Sequence, residues 1–105
     1  MALDSEFKVV ISDKAWVDYA NILNKITEIT LFEKSVKKWG ILLMNRILSL
    51  NFMPNRFAIY EFDKRFRSTH VGKYRIVYYV DEKRNRVIVV RILYARRDLE
   101  KVELK

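Results

Sequence analysis

The chain contains no cysteine, which excludes disulfides, thiolate nucleophiles and zinc–thiolate sites together. Packing alone has to hold it together. One proline and two glycines among 105 residues leave no flexible linker and no low-complexity tract, so residues 1–105 read as a single domain. No stretch approaches the roughly 20 consecutive apolar residues of a membrane span. Residues 1–8 lack the basic start, apolar middle and small-residue cleavage site of a signal peptide, and the cytoplasm is the expected location, with no membrane partner. Nothing in the spacing of the single histidine and the carboxylates argues for a metal site, and no cofactor is expected.

Half of the residues are hydrophobic, enough to build one core. The formal net charge is +8 and is unevenly placed. Residues 1–62 hold eight Lys/Arg against seven Asp/Glu, whereas residues 63–105 hold thirteen against six. A basic field confined to one part of the chain suits a polyanion such as RNA or DNA, or an acidic protein.

Phe7, Val9 and Ile11 alternate with Lys8, Val10 and Ser12, which predicts a strand over 6–12. Ser12 is placed to cap a helix whose apolar residues Trp16, Tyr19, Ala20, Leu23 and Ile26 recur at three and four. Asp13 falls in its first turn, where the helix dipole favours a carboxylate. Thr30 and Glu33 have the spacing of a capping box for a second helix, with Phe32, Val36, Trp39, Leu43, Ile47 and Leu50 on one face. Asn51 and Pro54 end it. Gly40 inside it marks a close approach of the two helices, which form an antiparallel hairpin.

Beyond Pro54 the β-branched and aromatic runs at 56–62, 71–80 and 86–95 predict three strands. The polar link Asp81–Asn85 is short enough to make the last two an antiparallel hairpin. The expected fold is therefore α+β: an N-terminal strand, the helical hairpin, then a three-stranded antiparallel meander, with both helices on one face of a four-stranded sheet.

Alternation assigns side chains to faces. Tyr74, Ile76, Tyr78 and Val80 share the face expected to meet the helices, leaving Lys73, Arg75, Val77 and Tyr79 on the other. In the last strand, Ile88, Val90, Ile92 and Tyr94 oppose Val87, Val89, Arg91 and Leu93. An unpaired arginine is too costly to bury, so Arg75 and Arg91 are expected on one open sheet surface. Lys64, Arg65, Arg67, Lys73, Arg96 and Arg97 extend it, interleaved with Tyr79 and Tyr94. Guanidinium groups grip phosphate oxygens bidentately and aromatic rings stack unpaired bases. The structural alternative is that these cations form ordinary solvated pairs with Glu61, Asp63, Asp81 and Asp98.

Lys73-Tyr74-Arg75-Ile76-Val77-Tyr78-Tyr79-Val80 resembles the "YRIVY.V" strand of the RelE/ParE superfamily of bacterial toxins. Val90-Arg91-Ile92-Leu93-Tyr94-Ala95-Arg96-Arg97-Asp98-Leu99 is similar to their closing "V..ILH.RRDL" segment, with Tyr94 where many members carry His. The order of elements agrees over the whole chain, and the specific likeness runs over about residues 67–99. The resemblance implies a toxin of a type II toxin-antitoxin pair. ParE-like members bind and poison DNA gyrase, whereas RelE-like members enter the ribosomal A site and cut mRNA without metal.

For RNA cleavage the resemblance gives Arg75 and Arg96 the task of stabilising charge on the phosphate, with Arg67 and Lys73 as phosphate clamps and Arg65, Arg91 and Arg97 completing the target-binding surface. RelE proper has a Tyr beyond the second Arg, where this chain has Val102. Tyr94 is the candidate substitute, provided clustered Arg charge favours its phenolate. His70, the only histidine, could serve as an acid or base, but it reads more simply as an exposed residue in a link. This incomplete set and the closing motif favour the gyrase-directed branch over the mRNA endonuclease. A non-toxic nucleic-acid-binding module is the third reading, on charge asymmetry alone. A toxin implies a cognate antitoxin, expected as an acidic amphipathic segment over the open face around Val77, Val87, Val89 and Leu93, with carboxylates near Arg75 or Arg96.

Overall fold

The chain's half-buried alternation at its start forms β1 (Lys8–Ile11), and Ser12 turns it directly into helix α1 (Asp13–Ile29). The capping expected of Ser12 is present: its Oγ accepts from the Ala15 N–H at 3.1 Å and donates to the Val90 carbonyl at 3.0 Å. One hydroxyl therefore starts the helix and ties it to the sheet. The computed structural model describes residues 6–29, 32–95 and 99–104.

Helix α2 (Glu33–Leu48) returns alongside α1. Thr30 of the expected capping box lies outside the described residues, and Phe32 at the cap position makes no side-chain hydrogen bond to the helix. Gly40 does bring the helices together. Tyr19 Oη donates to the Gly40 carbonyl at 3.0 Å, and a Cβ at Gly40 would stand 3.2 Å from that hydroxyl. The buried stripe of α1 is Ala15, Ile22 and Ile26. It is turned slightly from the expected one, so Trp16 is 47% exposed.

The region after Pro54 departs from expectation. Residues 56–62 are not a strand: Pro54–Arg56 is a 3-10 turn entered through Met53 at φ 45°, and only Ile59 bridges to Arg67. The strand lies later, as β2 (Arg67–Val71), joined through Gly72 and Lys73 to β3 (Tyr74–Asp81) and then β4 (Arg86–Tyr94). The expected strand 71–80 ran through a turn. Gly72 sits at φ +58°, the left-handed conformation a tight hairpin needs and a side chain resists. With β2 so placed the meander is antiparallel as expected. The sheet order is β1-β4-β3-β2, with β1 parallel to β4.

Both helices cover one face of this sheet, and Tyr74, Ile76, Tyr78 and Val80 point into them as expected. In β4 the alternation breaks. Val77 pairs with Arg91 and Tyr78 with Val89, which leaves Val90 as an extra residue in a β-bulge. Before the bulge the faces are therefore reversed: Val87 and Val89 join the helix-side core, while Ile88 and Val90 face away. Past it, Ile92 lies with the helices and Leu93 away from them.

The far face is not open. Tyr60 and Phe66 from the 57–66 loop and Leu99, Val102 and Leu104 from the C-terminal segment cover it, forming a second core with Val77, Val90 and Leu93. The sheet is thus buried on both sides. The antitoxin surface expected around Val77, Val87, Val89 and Leu93 is corrected accordingly, because the three valines are fully buried and Leu93 is 1% exposed.

Candidate functional site

Arg75 stands near the start of β3 on the face away from the helices, opposite His70 of β2 in the ladder. Cross-strand partners share a face. The two side chains therefore meet, with Arg75 Nε donating to His70 Nε2 at 3.0 Å. That bond requires the unprotonated ring nitrogen of His70 as acceptor. Arg75 Nη1 donates to Glu61 Oε1 at 2.6 Å, and the guanidinium carbon lies 5.4 Å from the centre of the Tyr60 ring.

The charge-assisted bond from Arg75 holds the Glu61 carboxyl below its ordinary range. Burial pushes the Tyr60 phenol up, and the Arg75 charge only partly offsets it. Tyr60 Oη is buried and has no hydrogen-bond partner among the described residues. The Arg75 side chain is 12% exposed and that of Glu61 57%, so the pair forms a cation seated on the protein under a carboxylate that reaches into solvent.

The other expected residues do not converge on this point. Arg65 is folded onto its own loop, with Nε and Nη2 donating to the Asp63 carboxylate at 2.9 and 2.6 Å. Arg67 donates to the Phe57 carbonyl at 2.8 Å and secures the loop to β2. Lys73 is exposed on the β2–β3 turn, where its carbonyl accepts from the Ala95 N–H at 2.7 Å. Arg96 and Arg97, with Asp98, lie outside the described residues.

Arg91 does not share an open surface with Arg75. The bulge and the end of β1 at Ile11 leave this part of β4 at an edge, where Arg91 meets Asp18 of α1. Arg91 Nε and Nη2 donate to Asp18 Oδ2 and Oδ1 at 2.7 and 2.9 Å, and Nη1 donates to the Glu103 carbonyl at 2.6 Å. Asp18 also accepts the Ile92 N–H at 2.9 Å, a backbone donor that a neighbouring strand would otherwise satisfy. With side chains 13% and 11% exposed, this pair joins helix, sheet edge and C-terminal segment.

Tyr94 is separated from Arg75 by the sheet itself. It pairs with Tyr74, their rings 5.8 Å apart, while Arg75 pairs with Leu93. Neighbouring ladder positions point to opposite faces. Tyr94 therefore lines a cavity of about 480 Å³ on the helix side, beside Asn21, Ile22, Lys25 and Ile29. The expectation that Arg91 and Tyr94 work beside Arg75 is corrected by this geometry.

Sequence reasoning offered Glu61 as one of several carboxylates that could pair with these cations, without assigning it to Arg75, and passed over His70 as a partner. His70 was legible once β2 is placed at Arg67–Val71, because the two-residue turn then sets it opposite Arg75. Glu61 arrives on an irregular loop that no periodicity foretells. Chemically the cluster offers a guanidinium, an imidazole and a carboxylate within hydrogen-bonding reach, the components of anion binding and of proton transfer. Among the described residues no three His, Cys, Asp or Glu side chains gather as a metal site requires, and no helix is long and apolar enough to cross a membrane.

The family described as the ParE toxin of the type II toxin-antitoxin system parDE matches residues 9–99. No curated protein matches the sequence. Among solved structures the chain is similar to one from the chromosomal ParDE toxin-antitoxin system of P. aeruginosa, at a TM-score of 0.76 and 12% identity, covering 88% of this chain and 99% of that one. It is also similar to a chain of the toxin-antitoxin complex RelBE2 from Mycobacterium tuberculosis, at a TM-score of 0.56 and 18% identity, covering 85% and 91%. At these identities the structural likeness concerns the fold.

Proposed function

Because the chain belongs to the ParE toxin family of type II toxin-antitoxin systems, we propose that it acts in the cytoplasm as a ParE-like inhibitor of DNA gyrase, held silent by a cognate antitoxin. The observation that carries the choice of target is the separation of Arg75 from Tyr94 by the sheet. A RelE-like cleavage that uses Tyr94 needs cation and phenol at one phosphate, and these two cannot reach the same one. The family match supports a toxin, and the two solved relatives, both from toxin-antitoxin systems, support the antitoxin.

The test is supercoiling of relaxed plasmid by purified gyrase with the chain added in increasing excess. Loss of supercoiling is expected. Undiminished supercoiling at large excess refutes the gyrase assignment.

One observation favours the second reading, an mRNA endonuclease. Glu61 and His70 each bond the Arg75 guanidinium, at 2.6 and 3.0 Å, and such a set can serve a phosphate without Tyr94. Primer extension on translated mRNA would then show new 5′ ends that disappear in Arg75→Ala. Their absence from the wild-type lanes rejects this reading.

A further inference from the structure

Helix α2 turns Gly40, Leu43 and Ile47 into the core, and its opposite side carries an organised pattern. At 3.6 residues per turn, Lys34, Lys37, Lys38, Ile41, Asn45 and Leu48 fall within a sector of roughly 100°, and all six are exposed. Ile41 and Leu48 are 59% and 54% exposed. The apolar half continues past the end of the helix, with Phe52 and Met53 at 52% and 55%. Single exposed apolar side chains are ordinary on a surface, but a run of four continuing from one helix face is the mark of an interface.

The basic half is as informative. Lys34 lies in the first turn of α2 and Lys37 and Lys38 in the second, at the end of the helix where the dipole disfavours cations. None of the three has a carboxylate at ion-pair distance among the described residues. Glu33 is the one carboxylate in that first turn, so the three exposed lysines leave this end of the helix net positive, and their continuity with exposed apolar residues suits an anionic amphipathic neighbour.

We propose that this outward face of α2 is the docking surface for an acidic amphipathic helix of the antitoxin. The inference rests on the toxin-antitoxin reading above and gives that partner a site in place of the buried sheet face. From Lys34 to Leu48 the face spans about 21 Å at 1.5 Å per residue. The occupant it fits is a helix of about four turns, with Asp and Glu gathered in the half that meets Lys34, Lys37 and Lys38. Its other half carries apolar residues at spacings of three and four against Ile41, Leu48 and Phe52. Segregation of charge and apolar surface along the helix also sets the direction in which the partner lies. A lipid surface fits less well, since an interfacial helix carries its apolar face along its whole length.

The test uses the full chain and the product of the adjacent reading frame as the antitoxin, with affinity measured by titration calorimetry and folding checked by circular dichroism. Ile41→Asp with Leu48→Asp is expected to weaken the complex at least tenfold, and Lys34→Glu with Lys37→Glu and Lys38→Glu to weaken it tenfold and flatten its salt dependence. All five positions are exposed, so the fold is retained. A wild-type complex that both variants form with unchanged affinity overturns the docking site and leaves the toxin-antitoxin reading standing. A wild-type chain that forms no complex overturns both. Two further outcomes reassign the face and overturn the proposal, both with antitoxin affinity unchanged in the variants. One is cosedimentation of the wild type, but not the lysine variant, with phosphatidylglycerol vesicles; the other is self-association lost in the aspartate variant.

Discussion

Removing the carboxylate of Asp18 is expected to unfold this protein more readily than any surface substitution. Asp18→Ala leaves the Arg91 guanidinium without its two donor bonds of 2.7 and 2.9 Å, and it orphans the Ile92 N–H, whose bond is 2.9 Å. At 13% and 11% exposure little solvent can replace them. Breaking a buried pair by deleting one partner costs about 3–5 kcal/mol, and because this pair lies at a sheet edge the lower figure, about 3 kcal/mol, applies. Total stability of a domain this size is on the order of 5–15 kcal/mol, so the loss is a large share of it. At roughly 4–8 °C per kcal/mol the midpoint should fall by about 12–24 °C. Urea melts followed by circular dichroism measure the loss directly. Asp18→Leu combined with Arg91→Met, which removes both charges, should recover most of it, and together with the wild type and the single variants Asp18→Leu and Arg91→Met it closes a double-mutant cycle. A loss below about 1 kcal/mol in Asp18→Ala would place the pair among ordinary solvated bridges and refute the view that it holds helix, sheet edge and C-terminal segment together.

Gly72→Ala should destabilise by about 2–3 kcal/mol, combining a left-handed φ of +58° with a Cβ placed 2.4 Å from a ring carbon of Trp39; in a Trp39→Leu background the clash component should vanish in the same urea melts. Burial raises the Tyr78 phenol from its ordinary 10 to about 12, so the unfolded chain releases this proton before the folded one does. The associated stability is complete below pH 10 and is lost as pH rises toward 12, by an amount on the order of 2–3 kcal/mol. Tyr78→Phe, which also gives up a hydrogen bond to the Pro54 carbonyl, should be less stable at pH 8 and flatter between pH 10 and 12; an unchanged slope would show that burial of Tyr78 is not its source.

The elements with regular periodicity were legible in the sequence, and the missed ones share a physical cause. Helices α1 and α2 announce themselves through three-and-four spacing, and β3 through its run of β-branched and aromatic residues. Residues 56–62 carry the composition of a strand, but Tyr60 and Phe66 are spent on anchoring a loop to the second core. The true strand, Arg-Ser-Thr-His-Val, has almost no apolar alternation because Ser68 and Thr69 are themselves buried. Its only local signal was Gly72, the hairpin residue. At the candidate site, Arg75 was legible because a strand arginine must find a face that does not bury it unpaired. Its partners were hidden with the misplaced strand, and the capture of Arg91 by Asp18 spans 73 residues, a distance over which no local pattern speaks.

The extra residue at Val90 divides β4 into two segments of opposite phase. One strand can thereby feed Val87 and Val89 into one layer and Val90 and Leu93 into the other, which a straight alternation of these residues would not do. The arrangement sets a rule for length changes. Deleting a single residue between 86 and 90 would realign the ladder and at the same time turn the strand's first half inside out. The protein should therefore tolerate substitution within this stretch far better than a change of one in its residue count.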